Sequence, residues 1–221
     1  MKNLSLTVFA TFLSFHAICQ LVSVSAGKLD SRLIPNDEYF HSEPNWSTQK
    51  TAWLSVKYDG MTDSAKFALE LRAKHRKGHF WVDTGSQALD AGETIDYNFW
   101  RMDIEFRRKI RLFYPKFFFA EIGVFSGLMI HSKATGVEYA YLSPPHGIYT
   151  KFIDGSAREY IRNFDAGVSL AIGAQYKFTK YIGAIGQLFL DQGVLKAWNG
   201  QMCPSREWGA GIGLRLFLPQ G

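Results

Sequence analysis

The sequence predicts an all-β protein: an antiparallel up-and-down transmembrane β-barrel of about eight strands, entered after a cleaved N-terminal signal peptide. Three observations predict it. Apolar and polar residues alternate with a period of two over runs well beyond the ~5–6 residues of an ordinary strand. After residue 26 no stretch approaches the ~18–20 apolar residues of a membrane helix, whereas a tilted spanning strand needs only ~9–11. Short and long connections also alternate along the chain, as in barrels with tight periplasmic turns and longer extracellular loops.

Residues 1–26 read as the signal peptide. Met1-Lys2 is a basic start, residues 4–24 carry no charge, and Val24-Ser25-Ala26 fits a small-residue cleavage signal. Two rival readings of this segment are a retained anchor helix and a lipid anchor on Cys19, the latter preceded by His16-Ala17-Ile18 in place of small residues. Residues 27–50 then form a polar lead-in, and residues 51–221 the barrel domain, with no second domain.

The strands follow. In residues 98–112, Trp100, Met102, Ile104, Phe106, Ile110 and Leu112, with Arg108 the exception on their face, alternate with Arg101, Asp103, Glu105, Arg107, Lys109 and Arg111. In residues 117–133, Phe118, Ala120, Ile122, Val124, Leu128 and Ile130 face away from Glu121, Gly123, Phe125, Gly127, His131 and Lys133. Residues 164–178 oppose Phe164, Val168, Leu170, Ile172, Tyr176 and Phe178 to Asp165, Ser169, Gln175 and Lys177. Residues 207–218 set Trp208, Ile212, Leu214 and Leu216 against glycines and Arg215, and residues 65–75 set Phe67, Leu69 and Leu71 against Glu70, Arg72 and Lys74. Weaker runs at 52–58, 80–87 and 181–191 complete the set.

Tight turns are expected at 76–78, 113–116 and 179–180, and longer loops at 59–64, 88–95, 134–163 and 192–206. Starting the first strand at the periplasm puts both termini and every tight turn on that side. Trp100, Phe164 and Trp208 then lie at the loop ends of their strands, and Phe118, Tyr176 and Phe178 near the turns, as two aromatic girdles. The rival fold is a soluble barrel or sandwich in which the same apolar face is the core.

The stretches "FDAGVSLAIGAQYKFTKYIGAIGQLFLDQG" and "WGAGIGLRLF", with Glu121 and Gly123 in "FFFAEIGVFSGLMI", resemble the small outer-membrane β-barrel families. These are the eight-stranded porin-family or PorT-like proteins and, more distantly, the OmpA- and OmpX-type barrels. The resemblance covers residues 51–218 and implies residence in the cell outer membrane. Family members end on an aromatic residue, whereas here Phe217 is followed by Leu218-Pro219-Gln220-Gly221.

An eight-stranded interior is just wide enough for side chains to fill it. Glu70, Arg72, Arg101, Asp103, Glu105, Arg107, Lys109, Glu121, Asp165, Lys177 and Arg215 are expected there as a charge network, because an unpaired charge in a narrow lumen costs several kcal/mol. Such a network serves either as a plug or as the lining of a narrow ion or solute path. A third class, a lipid hydrolase, needs a Ser–His–acid set. The nearest candidates, His131, Ser132 and Glu138, include neighbours that point to opposite faces of a strand.

The expectation is therefore a non-enzymatic barrel with a structural or recognition role, with outer-membrane lipids as partners and no cofactor. No metal site is expected: His75 and His79 read as flanking a hairpin, and Asp90, Glu93 and Asp96 as a solvated loop. Recognition of an extracellular or envelope partner is placed on Tyr139, Tyr141, Tyr149 and Phe152 in the longest loop. The net charge of +5 contains no block of like sign, which argues against a nucleic-acid arm. Loss of Cys19 with the leader leaves Cys203 alone and rules out an intramolecular disulfide.

Overall fold

Period-two segments of opposite faces hydrogen-bond edge to edge, and the only way to leave no unpaired edge is closure. The computed structural model closes in this way; it describes residues 19–33, 45–61, 66–83, 91–110, 117–141, 147–159, 161, 163–194 and 205–218. Its strands are β1 (Cys19–Leu33), β2 (Asn45–Thr48), β3 (Thr51–Met61), β4 (Lys66–Asp83), β5 (Ala91–Ile110), β6 (Phe118–Tyr141), β7 (Ile148–Gly155), β8 (Phe164–Lys177), β9 (Ile182–Gly193) and β10 (Ser205–Phe217). The 10-stranded antiparallel sheet contains a closed ring, β1-β3-β4-β5-β6-β8-β9-β10, with β2 and β7 attached outside it.

The ring departs from the expected layout in two places. It begins at β1, not at residue 51: β1 pairs with β10 from Leu21↔Phe217 to Leu33↔Ser205 and with β3 from Leu29↔Thr51 back to Cys19↔Gly60. The expected boundary after Ala26 falls inside this strand, and the lead-in 27–50 contains its upper half together with β2. The physical reason is an alternation masked by apolarity: Ser23, Ser25, Leu29 and Ser31 are buried inward while Val24 and Lys28 point out.

In the second place, residues 66–83 form one strand. The expected turn at Arg76-Lys77-Gly78 lies inside a ladder with β5 that runs unbroken from Phe67↔Arg108 to Asp83↔Gly92. β3 and β4 therefore meet at the periplasmic end, at Met61↔Lys66, where a loop at 59–64 was expected on the other side.

β4, β5 and β6 continue past the barrel mouth. β8 flanks β6 only from Ala174↔Phe118 to Phe164↔Leu128; above that point β7 takes its place, from Gly155↔Ala134 to Ile148↔Tyr141. β2 covers the upper part of β4. A β-bulge between Trp100 and Arg101 marks the crossing from barrel to upper sheet.

At that crossing the two faces exchange character. Below it on β5, Arg101, Asp103, Glu105 and Arg107 are buried inward and Met102, Ile104 and Phe106 are exposed outward. Above it, Ile95, Tyr97 and Phe99 are buried inward, joining Met129, Ala134, Ile153, Ala157 and Ile161 in one apolar cluster, while Asp96 and Asn98 face out.

Candidate functional site

The lumen is built from three linked charge groups. At the turn end, Lys57 Nζ donates to Glu121 Oε1 at 2.5 Å. Asp59 lies 2.5 Å from the Arg215 guanidinium and 3.8 Å from Lys109. Arg215 Nε also donates to Ser23 Oγ at 2.9 Å.

In the middle, Arg72 and Arg107 straddle two glutamates. Arg72 lies 3.0 Å from Glu70 and 2.9 Å from Glu105; Arg107 lies 2.9 Å from Glu70 and also contacts Glu105. Asp191 joins from β9, 3.2 Å from Arg72, and accepts from Ser169 Oγ at 2.5 Å.

At the loop end, Lys74 Nζ sits among Asp191 at 2.5 Å, Asp103 at 2.7 Å and Glu207 at 3.0 Å. Arg101 holds Asp103 and Asp165 at 2.5 Å each and Glu207 at 2.8 Å, and Arg76 also pairs with Glu207. The carboxylates of Asp103, Asp191 and Glu207 lie within 4.8 Å of one another, a donor set that suits a metal ion, but the Lys74 ammonium already supplies the cation between them.

Aromatic rings fill the space between the charges. The Arg72 guanidinium lies 3.7 Å from the Phe189 centroid and 5.2 Å from that of Trp53, and Arg101 lies 5.3 Å from that of Phe125. The Gly-rich closing strand makes this possible: a Cβ on Gly209 would strike the Phe189 ring, and one on Gly211 the Trp53 indole.

Ten of the eleven charges named from the sequence meet in these groups. Lys177 does not; it is exposed at the turn end with its ammonium 4.5 Å from the Phe217 ring centroid. Sequence reasoning put Lys74 and Glu207 on the polar faces of their strands without counting them in the network, and it missed Lys57, Asp59, Arg76 and Asp191. All six follow the period-two parity of their strands, so the signal was present; the missed four lie in the weaker runs or in residues read as a loop or turn.

The girdle residues Trp100, Phe164, Trp208, Phe118, Tyr176 and Phe178 all lie exposed on the outer wall. Between them the wall is mainly apolar, with Ile104 and Phe106 on β5, Ile122 and Val124 on β6, Leu170 and Ile172 on β8 and Leu214 on β10, and with Lys28, Arg108 and Ser126 as outward polar exceptions. A soluble barrel requires the reverse, with this face inside. A wall apolar outward around buried charge is stable only where the surrounding solvent is hydrocarbon.

This is the wall of an outer-membrane β-barrel. No family model and no curated protein matches the chain. Among solved structures it is similar to Ail, the attachment invasion locus protein of Yersinia pestis, at 12% identity over 90% of this chain and 99% of that one, with a TM-score of 0.39. Neisserial surface protein A is similar at 12% identity over 90% and 96%, with a TM-score of 0.45. The N-terminal β-barrel domain of Pseudomonas aeruginosa OprF is similar at 12% identity over 91% and 99%, with a TM-score of 0.30.

The upper sheet holds the expected recognition residues. The described residues of 134–163 form a fold-back, with β6 carrying Tyr139 and Tyr141, β7 carrying Tyr149 and Phe152, and a 3-10 turn at Ala157–Glu159. Phe152 is 81% exposed on the same face of β7 as exposed Ile148, Tyr149 is exposed on the opposite face, and Tyr139 packs over Gly92 of β5.

Glu93 faces Glu138 across the β5–β6 ladder, and Lys151 lies 3.6 Å from Glu138. Partial burial and the Glu138 charge push the Glu93 carboxyl above its ordinary value. Asp96 points to the other face, where it bonds His79 at 2.9 Å, so Glu93 and Asp96 do not converge, and Asp90 lies outside the described residues. His75 and His79 share the outward face of β4 within one strand and do not flank a hairpin. Ser132 Oγ bonds Ser156 Oγ at 2.8 Å, while His131 is exposed opposite Trp100. Cys203 lies outside the described residues.

Proposed function

We propose that the protein is a non-conducting outer-membrane barrel that holds a recognition sheet above the cell surface, with a structural and binding role and no catalytic one. The observation that supports it most is that the ion pairs span the lumen: Arg72 and Lys74 of β4 reach Asp191 of β9 and Glu207 of β10, and Arg101 of β5 reaches Asp165 of β8. Both signs pair across the bore, so a permeating ion would have to displace desolvated partners, each break costing several kcal/mol. A plug of this kind holds the wall in register and leaves the outer surface as the working part. There, β7 presents Ile148 and Phe152 on one face of the strand and exposed Tyr149 on the other, exposed aromatic anchors of the kind that recognition uses.

The test is conductance of the purified protein in planar bilayers. The expected record equals the bare bilayer, and steady ohmic steps would restore the channel reading. Cells displaying the protein are then compared with cells displaying Tyr149→Ser/Phe152→Ser on a panel of polysaccharides and matrix proteins. Selective loss of binding by the variant is expected; equal binding by both would remove the recognition half.

A further inference from the structure

Leader processing has to leave the barrel closed, and β1 is one of the two strands that close it. A cut after Ala26 would remove the pairs from Leu21↔Phe217 to Ala26↔Ile212 on β10 and their partners on β3. Two strand edges would then lie open at hydrocarbon depth, where each unmet backbone group costs several kcal/mol. The same cut would take Ser23 away from Arg215.

We infer that the leader is cut between Cys19 and Gln20, so that the mature chain begins at Gln20. The sequence upstream has the required parts. Lys2 is the basic start, residues 4–18 are uncharged and largely apolar, and the small residues Ala17 and Cys19 occupy the third and first positions before the cut. The structure places the junction suitably: Cys19 opens β1 opposite Gly60, at the turn end of the wall, where the chain enters from the periplasm. Water adds across the Cys19–Gln20 peptide bond, leaving a carboxylate on Cys19 and a free α-amine on Gln20. Cys19 departs with the leader, and the whole paired part of β1 from Leu21 onward is kept.

The experiment is intact-mass and N-terminal peptide analysis of the full chain, expressed in a Gram-negative host and purified from its outer membrane. The expected N-terminus is Gln20, as the free amine or as its cyclised form after loss of ammonia. An N-terminus at Gly27, an unprocessed Met1 chain, or a lipid-modified Cys19 would each overturn the assignment. Two variants separate the candidate junctions. Ala17→Leu/Cys19→Leu is expected to leave precursor as the main species. Ala26→Leu, on the outward face of β1, is expected to be processed like the parent chain; precursor accumulating in Ala26→Leu would overturn the assignment as well.

Discussion

The lower and upper halves of β5 share one backbone, one ladder and one side-chain parity, yet they are inverted in chemistry. Below Trp100 the inward residues are Arg101, Asp103, Glu105 and Arg107; above it they are Ile95, Tyr97 and Phe99. The outward residues invert in step, from Met102, Ile104 and Phe106 to Asp96 and Asn98. Backbone geometry decides which way a residue points, and the medium outside decides which residues belong there. In the lower half the outside is lipid, so apolar side chains face it and the charges neutralise one another inside. In the upper half the outside is water, and the apolar cluster moves inward as in any soluble sheet.

This contrast can be broken at either half. The largest effect is expected from Arg107→Ala, which removes one of the two guanidiniums that Glu70 and Glu105 share and leaves Arg72 alone against both carboxylates in the lumen; breaking such a buried pair costs about 3–5 kcal/mol. Denaturant unfolding in micelles reads it, and a cost under about 1 kcal/mol would mean that the lumen is wet and weakly coupled. Ile104→Arg, outward in the lower half, should cost about 2–4 kcal/mol and reduce the heat-resistant folded band. Its counterpart Asp96→Arg, outward in the upper half, should stay within about 0.5 kcal/mol, since water covers that face and the His79 pair is an exposed one. Equal costs for Ile104→Arg and Asp96→Arg would erase the contrast. Ile95→Val, inside the upper cluster, should cost about 1 kcal/mol and speed proteolysis of the upper sheet while the barrel stays intact.

The smallest effect is a pH dependence confined to the upper sheet. Glu93 keeps its proton to higher pH in the folded sheet than in the unfolded chain, so its ionisation opposes folding. The sheet is therefore tightest at or below the ordinary glutamate value of 4.5 and loosens as pH rises through the raised folded value. Amide exchange of β5 and β6, corrected for intrinsic pH effects, should show this in the parent protein and lose it in Glu93→Gln.

Much of the barrel was legible because lipid imposes a strict period: the parity of residues 98–112, 117–133 and 164–178 fixes which side chains enter the lumen. β1 was hidden because Val22, Val24 and Ala26 continue an apolar leader, and the serines between them are too small to break it. The continuous β4 was hidden because Arg76-Lys77-Gly78 has the composition of a turn. It runs on because β5 supplies a partner at every position, with Gly78 opposite Tyr97. The upper sheet was read as loop since strands that face water carry the polar residues of loops. Which lumen acid meets which base depends on register and shear across eight strands, which no single-strand pattern encodes.

The central claim is the inversion at Trp100 and Arg101, and a cysteine scan along the outward face of β5 tests it most directly. Single cysteines replace Asp96, Asn98, Met102, Ile104 and Phe106 in a Cys203→Ser background, and the reconstituted protein is treated with a charged, water-soluble thiol reagent. Labelling at Asp96 and Asn98 with protection at Met102, Ile104 and Phe106 is the result predicted. Rapid labelling at Ile104 and Phe106 would contradict it, because the outward wall would then face water.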